Sequence, residues 1–147
     1  ELHKLRIDSY LVLVGGGDSE RMLKLKQLVN EYGLGEYVKF LGIRQDATRI
    51  MGCFDAFVLP SFSEAFSIAM IEAQALNIRT VASDNVPIDV FYNDNCFYLS
   101  LEKSDREWAE LLLSDSVLER KKNIEDFDIG NVMKMLIEYY ETVLSRC

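Results

Sequence analysis

At 147 residues the chain has room for one domain and not for two. Its 49% apolar and 27% charged composition excludes a disordered or collagen-like protein. A formal net charge of −8, from 16 Lys and Arg against 24 Asp and Glu, argues against nucleic acid or an anionic membrane surface as the main partner.

In chain order, residues 1–8 read as the tail of a helix. Tyr10-Leu11-Val12-Leu13-Val14 is a continuous β-type run ended by Gly15, Gly16 and Gly17. Over residues 19–32, Met22, Leu23, Leu25, Leu28, Val29 and Tyr32 recur at helical spacing, and Gly33 and Gly35 stop that helix. Residues 37–41 form a second strand closed by Gly42. A short helix over 46–52 leads to a third strand, 55–59, stopped by Pro60. A helix over 67–76, a strand over 79–82, a turn-rich stretch over 85–95 and a strand over 96–99 follow. Residues 105–113 and 130–144 have the pattern of amphipathic helices, the last with Val132, Leu136, Tyr139, Tyr140 and Val143 on its apolar stripe.

Strands that are apolar throughout, alternating with helices, predict a parallel sheet covered on both faces. With right-handed crossovers the result is a Rossmann-like three-layer α/β/α sandwich. Doubly wound domains open with a strand, so a first βα unit is expected upstream of Glu1, and the chain reads as a piece of a longer protein. No apolar run approaches the roughly 18 residues of a membrane span, and no basic segment leads into a signal-type apolar one. Cys53, Cys96 and Cys147 lack the spacing of a zinc site or a disulfide frame. Cys53 and Cys96, in apolar contexts, are expected to be core thiols, and a reducing cytoplasm is the expected compartment.

Ligands of such sheets bind beyond the carboxyl ends of the strands. Gly15 to Gly17 could let a phosphate approach a helix N-terminus, but the position three beyond Gly17 is Glu20, so the G-x-G-x-x-G pattern is not met. A tight turn accounts for these glycines equally well. Residues 64–75 carry more information. The helix there is apolar nearly all round, so it is expected to be buried, and Glu72 within it needs partners. A structural hydrogen bond or the hydroxyls of a polar ligand would each serve. Glu64 lies eight positions earlier in the loop, and Ser67 is a good N-cap that leaves free N–H groups over residues 65–69. Carboxylate, amide-rich helix start and carboxylate suit a ligand with hydroxyls at both ends and phosphate between them, the shape of a nucleotide sugar.

Several segments together resemble a known family. They are Val12 to Gly17, Gly33-Leu34-Gly35 leading to Val38-Lys39-Phe40-Leu41-Gly42, Phe57-Val58-Leu59-Pro60-Ser61, and the E-x7-E element from Glu64 to Glu72. Their order and spacing resemble the C-terminal, donor-binding half of retaining GT-B glycosyltransferases, glycosyl transferases group 1 or family 4. A narrower likeness, through residues 71–75, 83–87 and 99–104, is to members found in bacterial exopolysaccharide and capsule clusters. The resemblance implies a hexosyltransferase whose donor is a UDP- or GDP-linked sugar and whose acceptor is a glycan or lipid-linked glycan held by an absent N-terminal domain. It implies no metal and no cofactor.

Carried over residue by residue, the resemblance implies that Glu72 holds the ribose hydroxyls. Glu64 would act at the transferred sugar as the catalytic carboxylate. Amides and side chains of Ala65, Phe66, Ser67 and Ile68 would meet phosphate or sugar, the backbone at Ile43 and Arg44 the base, and Gly15 to Gly17 the cleft wall. The Arg and Lys that neutralise the leaving diphosphate would lie upstream of Glu1. Ala65 and Ser67 stand where many relatives have Gly or Pro, and Asp89 where relatives often have Glu; a surface charge explains Asp89 without any role. Two other readings compete: a non-catalytic Rossmann-like binding domain, and a flavodoxin-like receiver domain. The second needs an acidic cluster after the first strand, where this chain has glycines.

Overall fold

The computed structural model describes residues 1–6, 8–87 and 93–114. The expected helix over 130–144, Asp89 and Cys147 lie outside the described residues. Helix α1 (Leu2–Leu5) leads to β1 (Leu11–Val14), α2 (Ser19–Glu31), β2 (Val38–Gly42), α3 (Ala47–Met51), β3 (Ala56–Leu59), α4 (Ile68–Ala75), β4 (Arg79–Ser83), β5 (Cys96–Leu99) and α5 (Asp105–Leu113). Each expected element within the described residues is present, with bounds displaced by at most one residue except at the first helix, which ends at Leu5 rather than at residue 8.

All strand pairs are parallel, as continuous apolar runs predict. The sheet is in two pieces, however: β1 pairs with β2, and β3, β4 and β5 form a separate sheet in that order. Burial follows the division. β4, with a neighbour on each side, is buried along its whole length, whereas the strands that lack one neighbour are at most half-buried over most of their residues.

Alternation along β4 assigns its two faces. Ala82 joins Met70 and Val86 in a cluster that Phe57, Leu59, Ile71, Cys96 and Tyr98 complete, so this face takes α4. Arg79 and Val81 point to the opposite face, where the Arg79 Nε donates to the Leu111 carbonyl of α5 at 2.8 Å. The layers are therefore α4, sheet and α5. A second cluster of Met51, Ala73 and Ile78, with Phe54 and Phe57 against it, joins α3 to α4 and β4. Helix α1 packs on α5, and its His3 ring stacks on Tyr37, just before β2, with centroids 3.8 Å apart. Thus α1 touches both the helix that packs on the three-stranded sheet and the residue that leads into β2.

Two expectations about burial are corrected. Cys53 is exposed, in the turn between α3 and β3, because Met51 and Phe54 on either side supply that turn's apolar contacts. Helix α4 is buried along one face rather than all round: Met70, Ala73 and Gln74 are buried, while Ile68 is 67% exposed. Ile68 lies off the face that Met70, Ala73 and Gln74 bury, so its apolar character does not translate into burial.

Candidate functional site

The loops at the carboxyl ends of β1 and β2 are tied together. In the register of β1 and β2, Leu13 pairs with Phe40 and Val14 with Gly42, so Leu41 is skipped. This bulge ends at Gly42, whose φ of +66° lies in the left-handed region that favours glycine. The redirected Gly42 carbonyl accepts from the Gly15 N–H at 2.8 Å. Gly15 itself has φ +131°, again glycine territory. Beyond the bulge the Ile43 side chain lies across Gly16, where a Cβ would sit 2.9 Å from Ile43 Cγ1. Ile43 is nevertheless 84% exposed. Gly15, Gly16 and Ile43 are therefore brought together where the β1 and β2 loops meet. Gly17 has no such constraint: a Cβ there would make ordinary contact with Met22 at 3.7 Å.

Arg44 is engaged locally. Its Nε and Nη2 donate to Asp46 Oδ1 and Oδ2 at 2.8 and 2.9 Å, a two-point pair. The pair holds the Asp46 carboxyl below, and the Arg44 guanidinium above, their ordinary ranges. Asp46 occupies the N-cap position of α3 but makes no side-chain cap bond, because Arg44 holds its carboxylate instead.

Helix α3 also reaches the second half of the site. Two residues beyond Asp46, the Thr48 hydroxyl donates to Glu72 Oε1 at 3.1 Å. Glu72 is half-buried on α4, not a stranded carboxylate in a buried helix. The deeply buried polar side chain of α4 is Gln74, 1% exposed, whose Nε2 donates to the Met70 carbonyl at 3.1 Å. The premise that burial alone makes Glu72 costly is thus corrected. Its Oε2 accepts from nothing among the described residues.

Glu64 is half-buried in the loop between β3 and α4 and has no side-chain hydrogen bond among the described residues. Ala65 and Phe66 are exposed beside it. Ser67 is buried and caps α4, its Oγ accepting from the Met70 N–H at 3.4 Å. Capping Met70 leaves the Ile68 and Ala69 N–H groups at the helix start. The loop is anchored from below by the Ser83 hydroxyl, at the end of β4, donating to the Ser61 carbonyl. A cavity of about 440 Å³ lies beyond the end of β4, lined by Asp84, Asn85, Val86, Pro87 and Tyr98. None of the expected site residues lines it. The expected residues thus fall into a joined set, Gly15, Gly16, Ile43 and Arg44 with Glu72 reached through α3, and a neighbouring loop, Glu64 to Ile68. Thr48 is the addition that sequence reasoning missed. It sits 24 positions from Glu72, and no periodicity links two different helices.

A family model described as Glycosyl transferases group 1 matches residues 1–114. A D-inositol 3-phosphate glycosyltransferase of Mycobacterium sp. (strain KMS) is 34% identical over 116 residues, 74% of this chain and 26% of that protein. A UDP-Gal:alpha-D-GlcNAc-diphosphoundecaprenol alpha-1,3-galactosyltransferase of Escherichia coli is 29% identical over 126 residues, 86% of this chain and 30% of that protein. Among solved structures, Anabaena HepE in complex with UDP-glucose superposes with a TM-score of 0.62 at 28% identity, covering 70% of this chain and 30% of that one. A glycosyltransferase from Rickettsia africae shares the fold, with a TM-score of 0.74 over 99% of this chain and 43% of that one, at 21% identity. The chain therefore spans between about a quarter and under half of the length of these proteins.

Proposed function

The chain belongs to the glycosyl transferases group 1 family, with the Rossmann-like fold of one half of a GT-B enzyme, and from that premise we propose that it is the donor-binding part of a retaining hexosyltransferase. The donor is a UDP- or GDP-linked sugar, and the acceptor is a glycan or lipid-linked glycan in polysaccharide biosynthesis. The observation that carries this reading is Glu72: one carboxylate oxygen is held by Thr48 and the other accepts from nothing among the described residues, and the helix that carries Thr48 follows directly on the segment whose Gly42 is bonded to Gly15. An open carboxylate accepts from a vicinal diol, and ribose supplies one. That HepE was crystallised with UDP-glucose supports the choice of donor.

In this reading Glu64 meets the hydroxyls of the transferred sugar, and the N–H groups at the start of α4 face the diphosphate, where a helix N-terminus favours an anion. The acceptor hydroxyl attacks C1 from the face the diphosphate leaves. The new C1–O bond forms as the C1–O bond to phosphate breaks, and the acceptor's proton passes to the departing phosphate oxygen. Charge accumulates on that diphosphate, so stabilising it is the principal rate effect.

The split sheet supports an upstream βα unit in the parent protein. A strand order of 3-2-1-4-5-6, usual for doubly wound folds, loses its central strand when the first is removed. What remains is one two-stranded and one three-stranded sheet, the pattern here. We place the acceptor domain, and the Arg and Lys facing the diphosphate, in that upstream region, and expect no transferase activity from the 147 residues alone. The decisive experiment is Glu72→Gln in the full-length protein, with turnover expected to fall by two or more orders of magnitude. Unchanged turnover would leave a non-catalytic binding domain as the better reading.

A further inference from the structure

Thr48 has no place in the reading above, yet it makes the one side-chain hydrogen bond that Glu72 receives among the described residues. We propose that Thr48 is a positioning residue that orients the Glu72 carboxylate toward the ribose and couples it to the base-binding segment. The inference rests on the proposed role of Glu72.

Threonine inside a helix ordinarily turns its hydroxyl back to the carbonyl four residues earlier, or loses stability through its branched side chain. Here the hydroxyl donates across to another helix instead, at 3.1 Å. Thr48 is exposed and Glu72 half-buried, so the bond is within reach of a ligand arriving from solvent. A glutamate has three side-chain torsions, and fixing them is an entropic cost of binding unless the protein has already met it. One hydrogen bond to Oε1 removes much of that freedom. It leaves Oε2 open, with the second lone pair of Oε1, which is the acceptor set a cis-diol requires.

The same helix begins at the segment expected to meet the base. Arg44 holds Asp46 by two hydrogen bonds, the Asp46 carbonyl accepts from the Ile50 N–H at 3.0 Å, and Thr48 lies between them on the first turn. Residues 43–48 are therefore one short stretch, bridged by the Arg44–Asp46 pair, with the segment expected at the base at one end and the partner of Glu72 at the other. Occupying the base wall and orienting Glu72 are consequently linked events.

The test uses the full-length protein, with UDP, GDP and 2′,3′-dideoxy-UDP as calorimetric probes and thermal melting as a folding control. Thr48→Val keeps the shape and removes the donor; Thr48→Ser keeps the donor. For whichever diphosphate binds, Thr48→Val should weaken binding roughly three- to tenfold, as expected for one lost hydrogen bond, and Thr48→Ser less than twofold. The loss should vanish with 2′,3′-dideoxy-UDP if UDP is the ligand, and should shrink below twofold in a Glu72→Ala background, where the hydroxyl has no acceptor left. Wild-type affinity in Thr48→Val, or a loss that persists with the dideoxy probe or without Glu72, overturns the proposal. If Glu72→Gln itself binds as the wild type, or neither diphosphate binds, the ribose reading fails and this inference with it.

Discussion

The Ile43 side chain lies across the bare Cα of Gly16, so close that a Cβ there would stand 2.9 Å from its Cγ1 and 3.0 Å from its Cδ1. The three consecutive glycines are therefore glycine for different reasons, and alanine separates them. Gly15→Ala forces a Cβ onto a φ of +131° and should cost about 1–3 kcal/mol in urea unfolding. Gly16→Ala meets Cγ1 and Cδ1 of an Ile43 side chain that is exposed and can turn to another rotamer, so its stability cost should stay near or under about 1 kcal/mol. It displaces Ile43 from the wall, however, and should weaken nucleotide binding. Gly17→Ala should be neutral, or stabilising by up to about 1 kcal/mol, because its Cβ finds ordinary contact and the unfolded chain loses freedom. A Gly17→Ala variant with normal stability and lost nucleotide affinity would show that a ligand approaches the backbone there.

Arg79 is the buried charge that joins the sheet to α5. Its Nε donates to the Leu111 carbonyl at 2.8 Å, Nη2 donates to Ser114 Oγ, and the guanidinium lies 4.4 Å from the Phe97 ring centroid. Carbonyls in the last turn of a helix have no partner within the helix, and a cation there completes them. Arg79→Ala should cost about 2–4 kcal/mol, combining charged hydrogen bonds with the ring contact. Arg79→Lys should recover less than half of that, because an ammonium cannot reproduce the planar fork. Chemical denaturation of the two variants checks both values.

The pattern of apolar runs and helical periods was sufficient for the elements and for the parallel sense of the strands. It could not show that the sheet is in two pieces. β1 and β3 have the composition of internal strands, and nothing in four apolar residues reveals whether a neighbour is present. Burial within α4 was misread for a related reason. A helix apolar nearly all round does not say which face meets the sheet: Met70, Ala73 and Gln74 turned out to lie on it, and Ile68, two positions before Met70, did not. Glu72 was legible as a carboxylate in an apolar helix; its partner was not, since Thr48 and Glu72 meet only after α3 and α4 pack through Met51 and Ala73. Gly42 was legible as a stop and proved also to be a bulge, which turns the chain toward Gly15.

The cysteines differ in reactivity in a way opposite to the equal treatment their sequence contexts invite. Cys53 is exposed, while burial pushes the Cys96 thiol up to about 12, a bond to Thr80 opposing the shift only in part. Since the thiolate is the nucleophile, iodoacetamide at pH 8 should modify Cys53 readily and leave Cys96 protected until the protein unfolds. Peptide mass spectrometry with time resolves the two sites. Equal labelling rates under native conditions would mean that β5 opens far more readily than its packing against Met70 and Ala82 implies.

The start of α5 predicts a pH response. The Ser104 Oγ accepts from the Glu107 N–H at 3.3 Å, Glu107 Oε2 accepts from the Ser104 N–H at 3.0 Å, and Lys103 Nζ donates to Glu107 Oε1 at 2.9 Å. This is a capping box with an added cation. The Lys103 hydrogen bond first, then those from Ser104, hold the Glu107 carboxyl down at about 2, against an ordinary 4.5. Because the folded value is the lower one, the unfolded chain takes up the proton first as pH falls. The stabilisation is therefore complete above about 4.5 and is lost progressively as pH falls toward 2. Glu107→Gln keeps the capping geometry and removes the titration. The wild type should exceed Glu107→Gln in stability at pH 7, and the difference should shrink as the pH drops through that window. It should shrink also in 1 M salt, since the pair is exposed. Urea unfolding at several pH values, with carboxyl carbon NMR following Glu107 directly, tests the window. A Glu107 resonance that titrates near 4.5 in the folded protein would mean the box is open in solution.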